Sequence, residues 1–297
     1  MNLHNMLLSR KIGGNGGGSS SGGSALFDLK NHTVPEIYDY AYQYVDVFGS
    51  VYFDAVRRIG RAAFLRCESL VSAIFPKATM IGHQAFGNCK SLETINSPLV
   101  TTVDYGAFCG CESLANIDFP LVEEVADSAF EECSGLKNAD LPLAKTVGMS
   151  AFDGCTSLES VYLPSVVDIG DRAFGICTNL KTIKLPSAKT ICKVGFLRCY
   201  SLETVDLSSI ETVGESAFAF CTSLKAVIIR NQNAVCVCDL TAFDDSAIFE
   251  GRGFIYIPSS MWDYYAAGYG DYIAIFRKLE DYTVDGTATG ELDESKI

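Results

Sequence analysis

Residues 151–164, with the sequence AFDGCTSLESVYLP, decide the fold, because close copies of them recur every 22 residues through most of the chain. The repeated positions are Phe64, Phe86, Phe108, Phe130, Phe152, Phe174, Phe196 and Phe218; Cys67, Cys89, Cys111, Cys133, Cys155, Cys177, Cys199 and Cys221; and Leu70, Leu92, Leu114, Leu136, Leu158, Leu180, Leu202 and Leu224. A fixed period of this size is the signature of a solenoid, in which each short unit stacks on the next. The sequence therefore predicts an eight-copy repeat solenoid over residues 56–232.

Composition and charge narrow the choice of partner. Hydrophobic residues make up 48% of the chain and charged residues 20%, which is enough apolar material for a continuous core. The formal net charge of -13 opposes nucleic acid, whose binding depends on Lys and Arg neutralising phosphates, and it disfavours anionic membranes in the same way. We therefore expect neither nucleic-acid binding nor direct membrane insertion.

Eight of the twelve cysteines form one repeat column. Equivalent positions in stacked coils lie roughly 5 Å apart, and a free Cys behaves as a small buried hydrophobe. The column is thus expected to be a ladder of reduced, buried thiols, with disulfides between alternate coils as the strained alternative. Cys236 and Cys238 point the same way on a strand, but no further ligand spacing accompanies them, so no metal site is predicted.

The N-terminal region divides into two parts. Residues 1–30 contain a Gly/Ser-rich stretch, Gly13 to Ser24, which has the composition of a flexible linker. The residues before it lack the order of charge and apolar core that a secretory signal has, so no signal peptide is expected. Residues 31–55 are expected to form a capping helix, running from Pro35 to Val47, and a degenerate first repeat.

The repeat changes after Asn231. The next Ala-Phe pair ends at Phe243, 25 residues after Phe218, which leaves three residues for a loop. Residues 233–282 are expected to form a C-terminal cap, in which a strand is followed by an aromatic helix that covers the last coil; stacking of its aromatic rings on a sugar is the alternative. Residues 283–297 are small, polar and acidic, and a disordered tail is predicted there.

Within each unit the pattern Leu-x-x-Ile-x-Leu-Pro has the alternation of a short strand that ends at proline. The part before it, Ile-Gly-x-x-Ala-Phe, predicts a tight turn followed by a helical or 3₁₀ turn on the opposite wall. The complete unit, as in residues 166–186, resembles the bacterial BspA-type leucine-rich repeat, in its Treponema-like form and with the C-terminal segment of Firmicute members. This resemblance implies a solenoid of short parallel strands, turns and short helical or 3₁₀ segments, with a concave strand face and adhesive or receptor-binding roles.

The residues that usually carry catalysis are scarce. The three histidines, His4, His32 and His83, do not fall beside a repeat cysteine, and the glycine-rich stretch lacks the strand, helix and Lys that make a phosphate-binding loop. The sequence therefore predicts no enzyme, no catalytic residue and no cofactor.

The third and fifth positions of Leu-x-x-Ile-x-Leu project outward together and form two columns along the strand face. The first column holds small hydrogen-bonding residues, which is also what strand propensity alone would favour. The second varies from coil to coil on a constant frame, as in an extended binding surface. The predicted ligand-binding residues are Asn96, Asn116, Asp118, Asn138, Asp140, Tyr162 and Asp206. Clustered Asp118 and Asp140 suggest Ca²⁺, but the close spacing of a dedicated loop is missing.

These patterns favour a non-enzymatic recognition or adhesion module that binds a protein or glycan on the concave face. The resemblance implies an extracellular or cell-surface location. A structural or attachment protein of a phage or prophage particle is the alternative, suggested by the leader and flexible linker. A thiol-dependent enzyme is a third hypothesis and requires a reactive native cysteine.

Overall fold

The structure is a computed structural model that describes residues 27–28, 34–45, 49–239, 241–284 and 287–288. It is a parallel β-solenoid, because most strands pair with the strand one repeat later at an offset of 22 residues, as Asn116 does with Asn138 and Asn138 with Ser160. The predicted fold class, a leucine-rich-repeat solenoid of short parallel strands, is confirmed.

One wall of the solenoid is built from the strands that contain the Leu-x-x-Ile-x-Leu pattern. Its strands are Phe27–Asp28, Gly49–Tyr52, Leu70–Ile74, Thr94–Asn96, Asn116–Asp118, Asn138–Asp140, Ser160–Tyr162, Thr182–Lys184, Thr204–Leu207, Ala226–Ile229, Phe254–Ile257 and Phe276–Lys278. Hydrogen bonding divides this wall into three sheets, with interruptions after Asn96 and after Tyr162. We call its solvent-facing side the strand face.

A second parallel ladder, which the sequence pattern did not predict, forms the opposite wall. Its two-residue strands are Glu36–Ile37, Arg58–Ile59, Met80–Ile81, Thr102–Val103, Glu124–Val125, Thr146–Val147, Asp168–Ile169, Thr190–Ile191, Thr212–Val213 and Val237–Cys238. They form one ten-stranded sheet, whose inward Val and Ile side chains are buried. Each coil is therefore closed by a ladder on both sides of the core.

The Phe column fills the middle of the coils, as predicted. The rings stack nearly parallel along the solenoid, with centroids 5.1 Å apart between Phe152 and Phe174 and 5.5 Å apart between Phe218 and Phe243. The Cys column lies beside it and is fully buried. The three extra residues before Phe243 lie in the loop between the strands that end at Ile229 and begin at Val237, so the ring stack continues across the insertion.

The turn around each repeated Phe is not the helical or 3₁₀ turn that we expected. The residues two before and two after Phe have a positive φ, for example Ser150 at 54° and Gly154 at 75° around Phe152. This left-handed geometry directs alternate backbone N–H groups toward the next coil, so that the N–H of Phe152 donates to the carbonyl of Ala173 at 2.7 Å. A helix would need these N–H groups for bonds within its own turn.

The same geometry replaces the predicted capping helix. Residues 39–44 form turns, with φ of 60° at Tyr40 and 59° at Tyr44, and the N–H of Tyr42 donates to the carbonyl of Ala63 at 2.7 Å. The prediction of a helix starting at Pro35 is wrong, because the next coil supplies the hydrogen bonds that a helix would make internally; positions 46–48 lie outside the described residues. The Tyr42 ring stacks on Phe64 at 5.0 Å and takes the place of Phe in this coil.

The expected linker at residues 1–30 also contains a strand. Phe27–Asp28 pairs in parallel with Val51 and Tyr52, so the ladder starts earlier than the composition suggested. The remainder of that segment lies outside the described residues.

At the C-terminal end, the strand Phe254–Ile257 is followed by a 3₁₀ turn, Ser259–Met261, and an α-helix, Trp262–Tyr269. The helix ends at Gly270, whose φ of 49° and ψ of -117° are accessible mainly to glycine. A 3₁₀ segment, Gly270–Ile275, leads to the strand Phe276–Lys278 and to the 3₁₀ turn Leu279–Asp281. No helix in the described ranges is long and apolar enough to cross a membrane.

The start of the expected disordered tail is paired. Thr283–Val284 and Thr287–Ala288 form a short antiparallel ladder, so the prediction of disorder is wrong for these four residues. The prediction for the rest of positions 285–297 falls outside the described residues.

Candidate surface for ligand binding

Six of the seven predicted binding residues lie exposed on the strand face. Strand alternation places the intervening Ile117 and Ala139 in the core, so the polar residues on either side of them face solvent. The exposed residues are Asn96, Asn116, Asp118, Asn138, Asp140 and Tyr162. Parallel pairing aligns them in two columns, Asn116, Asn138 and Ser160 in one and Asp118, Asp140 and Tyr162 in the other.

The first column forms a hydrogen-bonded ladder of its own. Asn138 Nδ2 donates to Asn116 Oδ1 at 2.8 Å, and Ser160 Oγ donates to Asn138 Oδ1 at 2.7 Å. Such cross-strand pairs stabilise neighbouring strands by fractions of a kcal/mol, roughly 0.2–1 each. These side chains therefore have a structural role in addition to their exposure.

The second column is different. In the described part of the chain, neither Asp118 nor Asp140 has a hydrogen-bond or ion-pair partner for its carboxylate. The next residue in register, Tyr162, exposes 58% of its surface, although an aromatic ring of this size usually finds a packing partner. The column thus offers two unpaired anions and one aromatic ring within three coils.

Asp206 does not belong to this group. Its carboxylate accepts hydrogen bonds from Arg230 Nε and Nη2, both at 3.1 Å, and the Asp206 side chain is only 14% exposed. The charge that the sequence suggested for ligand binding is neutralised inside the protein. The pairing joins residues 24 positions apart and depends on the coil register.

A groove of about 490 Å³ crosses the strand face where the ladder is interrupted after Asn96. Its lining residues are Glu93, Thr94, Ile95, Ser113, Ala115, Asn116 and Asp118. Sequence reasoning found Asn116 and Asp118 but missed Glu93 and Ser113, because these lie before the strands, outside the alternating positions that it assigned to the strand face. Glu93 thus adds a second carboxylate to the groove, beside that of Asp118.

The thiols of the cysteine column do not have the environment of activated nucleophiles. The twelve cysteines are free, and each thiol of the column donates to the backbone carbonyl 25 residues earlier, which belongs to Tyr42 for Cys67 and to a Phe for the others, as Cys155 does to Phe130 at 3.2 Å. Burial raises the pKa of Cys133 and Cys177 well above the ordinary range. Burial, together with nearby carboxylates, raises the pKa of the half-buried Cys109 to about 11. These thiols remain protonated at neutral pH, the opposite of a reactive cysteine.

The described residues contain no group of three or more His, Cys, Asp or Glu side chains arranged to hold a metal ion. Cys236 and Cys238 do approach each other, with the two Sγ atoms 3.6 Å apart, but they face the protein interior. Their backbone N–H groups bond to tyrosines of the cap.

Two tyrosines of the cap supply hydrogen-bond partners to the backbone at the open edge of the ten-stranded sheet. Val237–Cys238 is its last strand, and an unpaired buried edge would leave N–H and C=O groups without partners. The hydroxyl of Tyr265 accepts from the N–H of Cys236 at 2.8 Å. The hydroxyl of Tyr269 accepts from the N–H of Cys238 at 2.7 Å and donates to the carbonyl of Cys236 at 2.8 Å. The aromatic helix thus caps the ladder by hydrogen bonds as well as by covering the core.

Replacing both hydroxyls, with Tyr265→Phe and Tyr269→Phe, should destabilise the cap. Each buried backbone group left without a partner costs about 1–3 kcal/mol, and the rings themselves are retained. Hydrogen exchange should show faster exchange at the amides of Cys236 and Cys238, with a lower unfolding midpoint. Tyr264→Phe is the matched control, since Tyr264 lies in the same helix and is 64% exposed. Unchanged protection in the double variant would contradict this role.

Comparison with known proteins places these features in a family. The profile of the BspA-type leucine-rich repeat region matches residues 35–156 and 145–250, with six copies. No curated protein matches the sequence.

Solved structures of bacterial leucine-rich repeat proteins are similar to the chain. A leucine-rich cell surface protein of Faecalibacterium prausnitzii is 24% identical, with 76% of this chain and 78% of that one covered and a TM-score of 0.38. A leucine-rich repeat protein of Bacteroides ovatus is 23% identical, with 75% of each chain covered and a TM-score of 0.38. The leucine-rich repeat protein of T. pallidum is 27% identical, with 64% of this chain and 82% of that one covered and a TM-score of 0.44.

The family profile covers well over half of the chain, and the repeats that it matches are the coils with the stacked Phe rings and the buried Cys ladder. The chain therefore belongs to the BspA-type leucine-rich repeat family.

Proposed function

We propose that this chain is a non-enzymatic recognition module that binds a protein or glycan through the strand face. The observation that carries the proposal is the column of Asp118, Asp140 and Tyr162, which are exposed, in register and without partners for the two carboxylates in the described structure. The core beneath them is nearly invariant from coil to coil, so these side chains can vary without disturbing the fold.

The chemistry of the face supports recognition more than catalysis. Exposed carboxylates and an aromatic ring can pair with cationic or hydrogen-bonding groups of a ligand, and a rigid ladder holds them with little entropy left to lose on binding. The thiols of Cys133 and Cys177, by contrast, are buried, and burial raises their pKa, so they stay protonated at neutral pH. The family resemblance also leads us to propose that the module acts at the cell surface or outside the cell.

The proposal is tested with the labelled full chain on a printed glycan array and on a yeast-displayed library of extracellular proteins. For each ligand bound, the triple variant D118A/D140A/Y162A should weaken binding at least about tenfold, because two charges and a ring are lost from one surface. Its thermal unfolding should change little, since all three side chains are exposed.

The matched control is E124A/D168A/Y200A, which removes two carboxylates and a tyrosine at exposed positions off the strand face. It should retain binding. Equal binding by the wild type and the D118A/D140A/Y162A variant would exclude the strand face as the ligand site.

A further inference from the structure

A stripe of exposed leucines runs along the solenoid beside the strand face. In the coils from Phe75 to Ile210, the strands of that wall lead into a turn whose second position is Pro, or Ser208 in the last of these coils, and whose third position is variable. In one such turn, Val122 N–H donates to the carbonyl of Phe119 at 3.2 Å. In successive coils the third position is Lys77, Leu99, Leu121, Leu143, Ser165, Ser187 and Ser209. The three leucines are 45%, 38% and 45% exposed, respectively.

The fold does not require leucine at this position. In the later coils Ser165, Ser187 and Ser209 each donate their hydroxyl to the carbonyl of the Pro one coil earlier, at 2.8 Å. Serine is therefore both accommodated and hydrogen-bonded there. Single exposed leucines are ordinary, but three in register form a continuous apolar strip, which usually marks a contact surface.

Within the described ranges, the carboxylates next to the stripe, those of Asp118 and Asp140, have no ion-pair partner. Asp118 and Asp140 precede Leu121 and Leu143 by three residues, so their Cα atoms are at most about 10 Å apart. On the other side of the stripe, Glu123 is held by Lys145 at 2.6 Å. The side facing the strands therefore attracts cations, whereas the charge of Glu123 on the opposite side is neutralised.

The spacing of the stripe fits a helix. The Phe rings of these three coils stack 5.3 Å apart, so two coils, the interval from Leu99 to Leu143, advance about 10.6 Å along the ring stack, twice that distance. Residues i and i+7 of an α-helix, which lie on one face, are about 10.5 Å apart along its axis, with i+3 or i+4 between them. Alternate residues of an extended strand repeat at about 6.6–6.8 Å and would lose register by the third leucine.

We propose that Leu99, Leu121 and Leu143 together with Asp118 and Asp140 bind a basic amphipathic helix of a partner protein, which lies parallel to the solenoid axis. Its apolar face contacts the leucines, and Lys or Arg on the adjacent face pair with the two carboxylates. This inference rests on the proposed recognition function and narrows its ligand from protein or glycan to a cationic helical protein segment.

The probe is a synthetic helical peptide of about five turns with Leu at i, i+3 and i+7 spacing and Lys along one flank. The comparison peptide has the same composition in scrambled order. Fluorescence anisotropy with the full chain should show binding of the first peptide at least about tenfold tighter than the scrambled one. Binding should weaken with added salt, because the Lys-to-Asp attraction is screened.

The variant L99S/L121S/L143S should weaken peptide binding at least about tenfold, and it should fold, since Ser occupies the same turn position in three later coils. D118N/D140N should weaken binding and reduce its salt dependence. The control M149S/V237S/F249S removes three other exposed apolar side chains and should bind as the wild type does.

Equal affinity for the scrambled peptide, or full affinity of the leucine variant, would overturn the helix proposal. If the helical peptide is not bound but an array or library ligand is lost in D118A/D140A/Y162A, the helix proposal fails and the strand-face function stands. If the leucine variant no longer binds the peptide while D118A/D140A/Y162A still binds every array or library ligand, the strand-face proposal fails. The assignment of the leucine stripe as the helix-binding surface is then retained.

Discussion

Raising the pH from about 8 to about 10 is expected to unfold most of the solenoid. Burial raises the pKa of six thiols of the Cys column, those of Cys89, Cys111, Cys133, Cys155, Cys177 and Cys199. In the unfolded chain a thiol ionises near 8.5, so above this pH the unfolded state binds fewer protons than the folded state. The stability that these protonated thiols contribute is present below pH about 8.5 and is lost as the pH rises toward their folded-state pKa values.

The size of the effect follows from the number of thiols. At pH about 10 each thiol that stays protonated in the folded state costs about 2 kcal/mol of stability. Six of them together cost on the order of 10 kcal/mol, which is comparable to the whole stability of a typical domain. The pKa of Tyr42, which burial raises to about 12, adds a further loss of the same sign above pH about 10.

Urea unfolding followed by circular dichroism, under reductant at pH values from about 7 to about 10, measures this loss. The double variant Cys155→Ala and Cys177→Ala should lose about 4 kcal/mol less between the two ends of the series, although it is less stable at neutral pH. A wild-type stability that is constant up to pH about 10 would show that the native thiols ionise as freely as those of the unfolded chain.

Much of this core could be predicted from the sequence, because a constant period converts each repeated residue into a column. Phe152 and Cys155 recur at 22-residue intervals, and stacking alone brings their copies together. The alternation around Ile117 likewise predicts that Asn116 and Asp118 face solvent, as they do. Burial and exposure in a solenoid are thus largely local properties of the unit.

Hydrogen bonding between coils could not be predicted in this way. Pro35 and the apolar spacing after it favour a helix locally, but the adjacent coil provides acceptors at the right distance, and Tyr40 and Tyr44 adopt positive φ to reach them. Non-glycine residues avoid that region when isolated, so propensity points the other way. The ladder overrides the local preference.

Side-chain pairing on the surface could not be predicted from the repeat pattern either. Asp206 looks equivalent to Asp118 and Asp140 in sequence, yet Arg230 lies two residues past the equivalent position of the next coil and pairs with it. The leucine stripe, by contrast, is visible in the sequence as Leu99, Leu121 and Leu143. Its meaning depends on exposure, which only the structure supplies.

Truncating one ring of the Phe column, with Phe152→Ala, should lower the free energy of unfolding by about 3–5 kcal/mol. The ring is fully buried, and its centroid lies 5.3 Å from that of Phe130 and 5.1 Å from that of Phe174. The neighbouring coils cannot close the gap, because the ten-stranded ladder and the hydrogen bonds between turns, such as that from Phe152 N–H to the carbonyl of Ala173, hold their spacing. The hole therefore persists and removes contacts from both adjacent rings.

The Phe152→Ala substitution should also weaken the coupling between the two halves of the solenoid. Each coil contacts mainly its neighbours, so a weak coil in the middle lowers the coupling between the two halves. Circular dichroism reports all coils, whereas the fluorescence of the single tryptophan, Trp262, reports the C-terminal cap. In the wild type the two urea transitions should coincide, and in Phe152→Ala the transition seen by circular dichroism should begin at lower urea.

Phe249→Ala is the matched control, because Phe249 is 58% exposed and an exposed ring contributes little to folding. It should change the free energy of unfolding by less than about 1 kcal/mol. If Phe152→Ala has an equally small effect, the ring stack is not what couples the coils, and the two hydrogen-bonded ladders must carry that coupling by themselves. A large loss in Phe152→Ala with coincident transitions would instead show that the coils unfold as one cooperative unit around the stack.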